Sequence, residues 1–259
     1  MIWLFMTASL AASPASVDLN LVGKWDDAAD SLLDGPAGCW DVEATADRKI
    51  LAVVPPDLYN SGRQYEEVVR TQIKGKLVDG IWTVYDAEKT DRGNIKDVHP
   101  LLRLMQPVAE SMEIVPLIGT FPEVGQHAPT NLVREVIDEW GGDMSTSYAE
   151  WDDARQGVWL RREVPIRKRP RAPVSQVDTF FPKGLFTPTE LDVAFPKSFK
   201  AGVKLMRFRI DDAQFHIRAN GQPTIESASL LVVALGITMG YEQTIRYDRF
   251  TPCESAPLD

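Results

Sequence analysis

The chain has 259 residues, 44% of them hydrophobic and 25% charged, proportions that exclude wholesale disorder and a fibrous repeat. A length of this order buries a large core, as one big β-rich domain or as two ordinary ones. The formal net charge of -9 and pI near 5.0 exclude non-specific nucleic-acid binding, which needs a basic surface to displace counterions from phosphates.

Residues 1–15, MIWLFMTASLAASPA, hold an apolar run from Ile2 to Met6, with Ser13 and Ala15 at the −3 and −1 positions of a signal-peptidase site. That pattern predicts a secretory signal, leaving one β-rich domain over 16–259 in the periplasm or outside the cell. The longest later apolar run, Leu230 to Gly240, is too short to span a bilayer as a helix, so a transmembrane helix is not expected. In an oxidising compartment a pair of cysteines reads as a disulfide rather than a redox motif or a metal site. Cys39 and Cys253 lie 214 positions apart, so the bridge would tie the first strand to the last.

Residues 17–33 place Leu21, Trp25, Ala28, Ala29 and Leu32 at helical spacing, with Asp18, Asp26, Asp27 and Asp30 on other faces. Asp34-Gly35-Pro36 ends that helix. From Cys39 the period becomes two: Trp40, Val42, Ala44 and Ala46 alternate with Asp41, Glu43, Thr45 and Asp47, as in a half-buried strand. Asp79-Gly80 then separates two alternating runs and favours a tight two-residue hairpin. Val78 should oppose Ile81, and Leu77 oppose Trp82. Ile73, Leu77, Trp82 and Val84 would share one face, with Arg70, Gln72, Lys74 and Lys76 on the other.

Residues 91–142 read as a helical insertion, with one helix over about 129–140 ended by Gly141-Gly142. A second hairpin is expected around Asp152 to Gln156. The segment 161–173 is extended by prolines and holds six basic residues against one acid; Arg167, Lys168, Arg169 and Arg171 could meet anionic lipid headgroups. From 190 onward the chain reads β, with Gly236 to Gly240 joining the last two strands. Leu230 to Leu235 is apolar on both parities, the pattern of a strand covered on both faces.

No local motif of a serine hydrolase, metalloprotease, nucleotide-binding loop or dinucleotide fold is present, so no catalytic residue, metal ligand or cofactor is assigned. A catalytic reading would need His99, His127 or His216 to meet an acid within a cleft. Asp211-Asp212 reads as a kink or a strand–strand turn rather than a paired-carboxylate site, since adjacent strand residues face opposite ways. Gly23-Lys24-Trp25 resembles the lipocalin GxW signature but lies in a helix-like run. Trp40, Trp82 and Trp159 are expected on the apolar parity of separate strands, where large rings fill a core or wall a cavity.

The 17–33 helix, the strand from Cys39, the hairpin KLVDGIWTVYD and the final pair SASLLVVALG and YEQTIRYDRF together resemble the periplasmic lipoprotein-carrier (LolA-like) architecture. The resemblance implies an α+β, mostly β fold: a curved antiparallel sheet or half-barrel with an N-terminal helix and inserted helices on its concave face. It also implies an acyl chain or other apolar ligand bound between sheet and helices. On this reading Trp40, Val42, Ile73, Leu77, Trp82, Val84, Trp159, Leu230 and Val232 line the ligand site. The alternative is a structural or interaction protein of the cell envelope with a filled core, whose partner would be another envelope protein.

Overall fold

The computed structural model describes residues 19–53, 64–92, 116–119, 145–163, 176–195, 198–201, 208–234 and 237–253. Two short helices, α1 (Leu19–Ala28) and α2 (Ser31–Asp34), precede eleven strands. These are β1 (Cys39–Val53), β2 (Gln64–Val78), β3 (Ile81–Arg92), β4 (Ser145–Asp152), β5 (Gly157–Glu163), β6 (Gln176–Pro182), β7 (Glu190–Phe195), β8 (Phe199–Ala201), β9 (Phe208–Asn220), β10 (Gln222–Ala234) and β11 (Ile237–Pro252). They form one antiparallel sheet in the order β3-β2-β1-β11-β10-β9-β7-β6-β5-β4, with β8 paired to β9. Among the described strands the first and last, β1 and β11, are therefore neighbours inside the sheet, third and fourth along the path, while β3 and β4 are its two edges.

Alternation gives the sheet two unlike faces. The inner face carries Val42, Ala44, Ala46 and Ile50 of β1, Ile73 and Leu77 of β2, Leu191, Val193 and Phe195 of β7, Phe215 and Ile217 of β9, Leu230 and Val232 of β10, and Tyr241 and Ile245 of β11, all buried. The helices pack on this face. Trp25 and Ala29 meet Val158, Leu160 and Phe181, while Leu32 and Leu33 join the large central cluster. Arg162, on the same face of β5, bonds Asp30 through both terminal nitrogens at 2.5 and 3.3 Å, which fastens the helical segment to the sheet.

Several expectations hold. Asp79 and Gly80 take φ of 46° and 78°, Val78 pairs with Ile81, and Leu77 pairs with Trp82. The Cys39–Cys253 disulfide is present with Cα atoms 5.3 Å apart, just beyond the last ladder pair, Trp40 with Pro252. The β4–β5 turn falls at 153–156. Asp212 has φ of 49° and stands in a bulge of β9, the kink that the paired acids suggested.

Others are corrected. The 17–33 helix is two helices, interrupted at Ala29-Asp30. β3 runs to Arg92, so residues 91–92 are strand, and no helix between strands occurs among the described residues; the 129–140 helix lies outside them. Gly236 to Gly240 is not a connection: β11 begins at Ile237, and Gly240 pairs with Leu51 and Leu231. On β10, Leu230 and Val232 are buried but Leu231 and Val233 only half-buried, because only one face of the sheet carries the core. A bulge after Trp82 makes Val84 pair with Lys76, where an unbroken register would pair it with Gly75.

Candidate functional site

Seven of the nine expected ligand-lining residues fall in three places. Val42, Leu77 and Trp82 form one cluster at the hairpin end of the sheet, with Trp40 half-buried against it. Trp40 donates its indole N–H to Ala37 O at 2.7 Å and meets Phe250 edge-on. Ile73 belongs to a second cluster with Ala44, Ala46 and Ile245. Leu230 and Val232 lie in the central cluster with Phe195, Phe215, Ile237, Met239 and Tyr241. The structure thus brings six of them onto the inner face, each no more than 4% exposed, and sets Trp40 at its rim.

Trp159 is elsewhere. Val158 and Leu160 take the inner parity of β5, so Trp159 faces outward, 5.2 Å from the Phe180 ring. Arg155 caps that pair, its guanidinium 4.0 Å from the Phe180 centroid, and binds Glu190 through two hydrogen bonds of 3.0 and 2.6 Å. The Val84 side chain, and Arg167, Lys168, Arg169 and Arg171, lie outside the described residues, as do His99 and His127.

Beside the hairpin end, residues 116–119 lie on the inner face, all four buried. Trp82 donates its indole N–H to Ile118 O at 2.9 Å, and Gly119 N donates to Leu33 O at 2.8 Å. The fit depends on absent side chains at two positions of positive φ: a Cβ on Gly119 would stand 2.7 Å from Gly80 O, and one on Gly80 2.5 Å from Asp34 O. The hairpin tip, the end of α2 and residues 118–119 therefore interlock.

Glu226 of β10 is buried on the same face, where its strand neighbours are Ile217 and Ile245. Its carboxylate accepts from Leu117 N at 2.8 Å and from the Tyr247 hydroxyl at 3.0 Å. Burial pushes this carboxyl up to about 8, against the hydrogen bonds from the Leu117 and Ile118 backbone and from Tyr247, which favour the charged form. Sequence reasoning missed it: in QPTIESAS a glutamate among small polar residues reads as solvated, and only its parity with Ala228 and Leu230 places it inside.

The outer face carries a second feature. Asp192, His216, Ser227 and Thr244 are successive register partners across β7, β9, β10 and β11. Small side chains there, with Ala194 and Ser229, leave an open depression of about 480 Å³ walled by Gln214 and Glu242. His216 Nδ1 hydrogen-bonds Asp192. The histidine–acid pairing that a catalytic reading requires is thus found at His216. Among the described residues no group of three or more acids, histidines or cysteines is arranged to hold a metal ion.

No family model and no curated protein sequence matches the chain. Of solved structures, one of lipovitellin, described by its lipid–protein interactions, is similar over 86% of this chain and 26% of that one, at 10% identity and a TM-score of 0.29. This chain spans about a quarter of that protein's length.

Proposed function

We propose that the protein is exported and, without catalysis, holds an apolar or lipid-like ligand against the inner face of its sheet. One observation carries the reading: an apolar face continues over the ten-strand path, on the order of 40 Å at the usual strand spacing. Residues 116–119, which fall between β3 and β4 in sequence, lie on that apolar face. The resemblance to the carrier architecture implies an acyl chain bound against such a face. The Cys39–Cys253 bridge supports export to an oxidising compartment, periplasmic or extracellular. Among the described residues no helix is long and apolar enough to cross a membrane.

Protein purified from its own host and extracted with chloroform and methanol should release about one apolar passenger per chain. Stripped protein should then take up a fluorescent fatty acid saturably. Finding neither would overturn the proposal.

A second reading is favoured by the tight burial of Val42, Ile73, Leu77, Trp82, Leu230 and Val232 on protein side chains. On this reading the core is filled and the protein is a structural or interaction component of the cell envelope. It predicts stable partners in a crosslinked pull-down from the envelope, and no uptake of the fatty acid.

A further inference from the structure

Residues 116–119 are fastened by Glu226 through the Leu117 and Ile118 amides, by Trp82 through Ile118 O, and by Leu33 through Gly119 N. Two of these partners cannot titrate. The third is a fully buried carboxyl group, 0% exposed. Its neighbours along the register, Ile217 of β9 and Ile245 of β11, are uncharged, as are Leu117 and Ile118 above it. Tyr247 of β11 is the titratable side chain bonded to it among the described residues. The ion pair of Arg48 with Glu67 stands on the same face, on β1 and β2.

We propose that Glu226 is a proton-operated latch: while neutral it keeps residues 116–119 seated on the sheet, and loss of its proton favours their release. As a fastening the latch stands on the geometry alone. As a gate controlling access to the inner face it rests on the apolar-ligand reading above.

A neutral carboxyl fits this position, because it can donate to the Tyr247 oxygen from one oxygen and accept from Leu117 N on the other. An ionised one would be a desolvated charge with no cation against it among the described residues, which burial disfavours more than its hydrogen bonds repay. Seated, the group keeps its proton up to pH about 8; exposed to water it would lose it near its ordinary value of 4.5. The sign follows. A folded-state carboxyl raised in this way adds stability that is fully present below the ordinary value and is lost as pH rises toward the raised one. Lifting of residues 116–119 should therefore become easier between those limits and level off above pH about 8.

Hydrogen exchange of the Leu117 and Ile118 amides in the whole protein, corrected for the intrinsic pH dependence of exchange, tests the latch. Protection should fall about tenfold for each pH unit between roughly pH 6 and 8, then flatten. In Glu226→Gln, which keeps an acceptor but cannot titrate, protection should not change with pH. In Tyr247→Phe, which keeps the carboxyl, the slope should remain. A flat profile in the natural protein, or an unchanged slope in Glu226→Gln, overturns the proposal. A fluorescent fatty acid added to the same samples separates the two ideas: release in step with lost protection supports the gate. A probe that never binds removes the apolar-ligand reading, and the exchange profiles still decide the latch.

Discussion

The two faces of the sheet are built from the same strands but use charge in opposite ways. On the outer face acids and bases alternate along the register, as in Arg161 with Asp178, Asp47 with Arg70 and Arg246, and Glu43 with Arg249. These side chains keep water, so each pair is worth little. On the inner face ionisable groups are few, and two of the buried ones grip chain that lies over the sheet: Arg162 holds α1 and α2 through Asp26 and Asp30, and Glu226 holds residues 116–119. A buried charge is costly unless it is paired, so its position specifies where the covering chain must sit. The outer face is solvated, whereas the inner face is addressed.

Experiments that break this contrast can be ordered by size. The largest effect is expected from removing the staple between the ends of β1 and β11. Replacing Cys39 and Cys253 together by serine frees a loop of 214 residues and should destabilise the domain by up to about 5 kcal/mol, read as a lower urea midpoint. Both faces should loosen together. Arg162→Ala comes next. It removes a buried guanidinium and packing under α1 while Asp30, more than a third exposed, can be rehydrated, for an expected loss of about 1–3 kcal/mol, and tryptophan fluorescence should report undocking of the helix.

Glu226→Gln sharpens the comparison by pH rather than by size. The raised carboxyl makes the natural protein lose stability as pH increases from about 5 to 8, so its Tm should fall over that interval more steeply than that of the variant. Equal slopes would show that Glu226 does not titrate in this range. The smallest effect belongs to the outer face: Arg249→Ala, which removes an exposed pair with Glu43, should change stability by no more than about 1 kcal/mol and less in high salt. A large loss there would erase the distinction between the faces.

How much of this was readable in the residues depends on whether one parity of each strand differed clearly from the other. Asp79-Gly80 and the alternation around it gave the hairpin and its first two pairs correctly, because turn chemistry and binary pattern agree there. The cysteine pairing followed from there being only two. β5 shows the opposite case. In GVWLRRE both parities hold a large apolar residue and an arginine, so nothing local says that Val158, Leu160 and Arg162 are covered while Trp159 and Arg161 face out. Neighbouring strands decide it: Phe181 and Trp25 pack beside Leu160 in one cluster, and Phe180 stacks on Trp159 from the other side. The bulge after Trp82 likewise shifts parity without a mark in the sequence, whereas the one at Asp212 is flagged by its paired acids. Glu226 shares the inner parity of Ala228 and Leu230, but its partner Leu117 stands 109 positions away, and nothing local announces that contact.

The His216–Asp192 pair lies on the solvated face, within the polar row of the depression. It is therefore placed apart from the apolar face on which the proposed binding depends. Incubation with a fluorophosphonate probe is expected to leave Ser227, the register partner of His216, unlabelled. Labelling that His216→Ala abolishes would establish a nucleophile and overturn the non-catalytic reading.

The central claim is that the inner face holds an apolar ligand, and native mass spectrometry of the protein purified from its own host measures this most directly. One discrete mass increment per chain is expected, lost on extraction with organic solvent and regained on adding back the extract. A bare chain mass before and after extraction, with no increment on add-back, would contradict it.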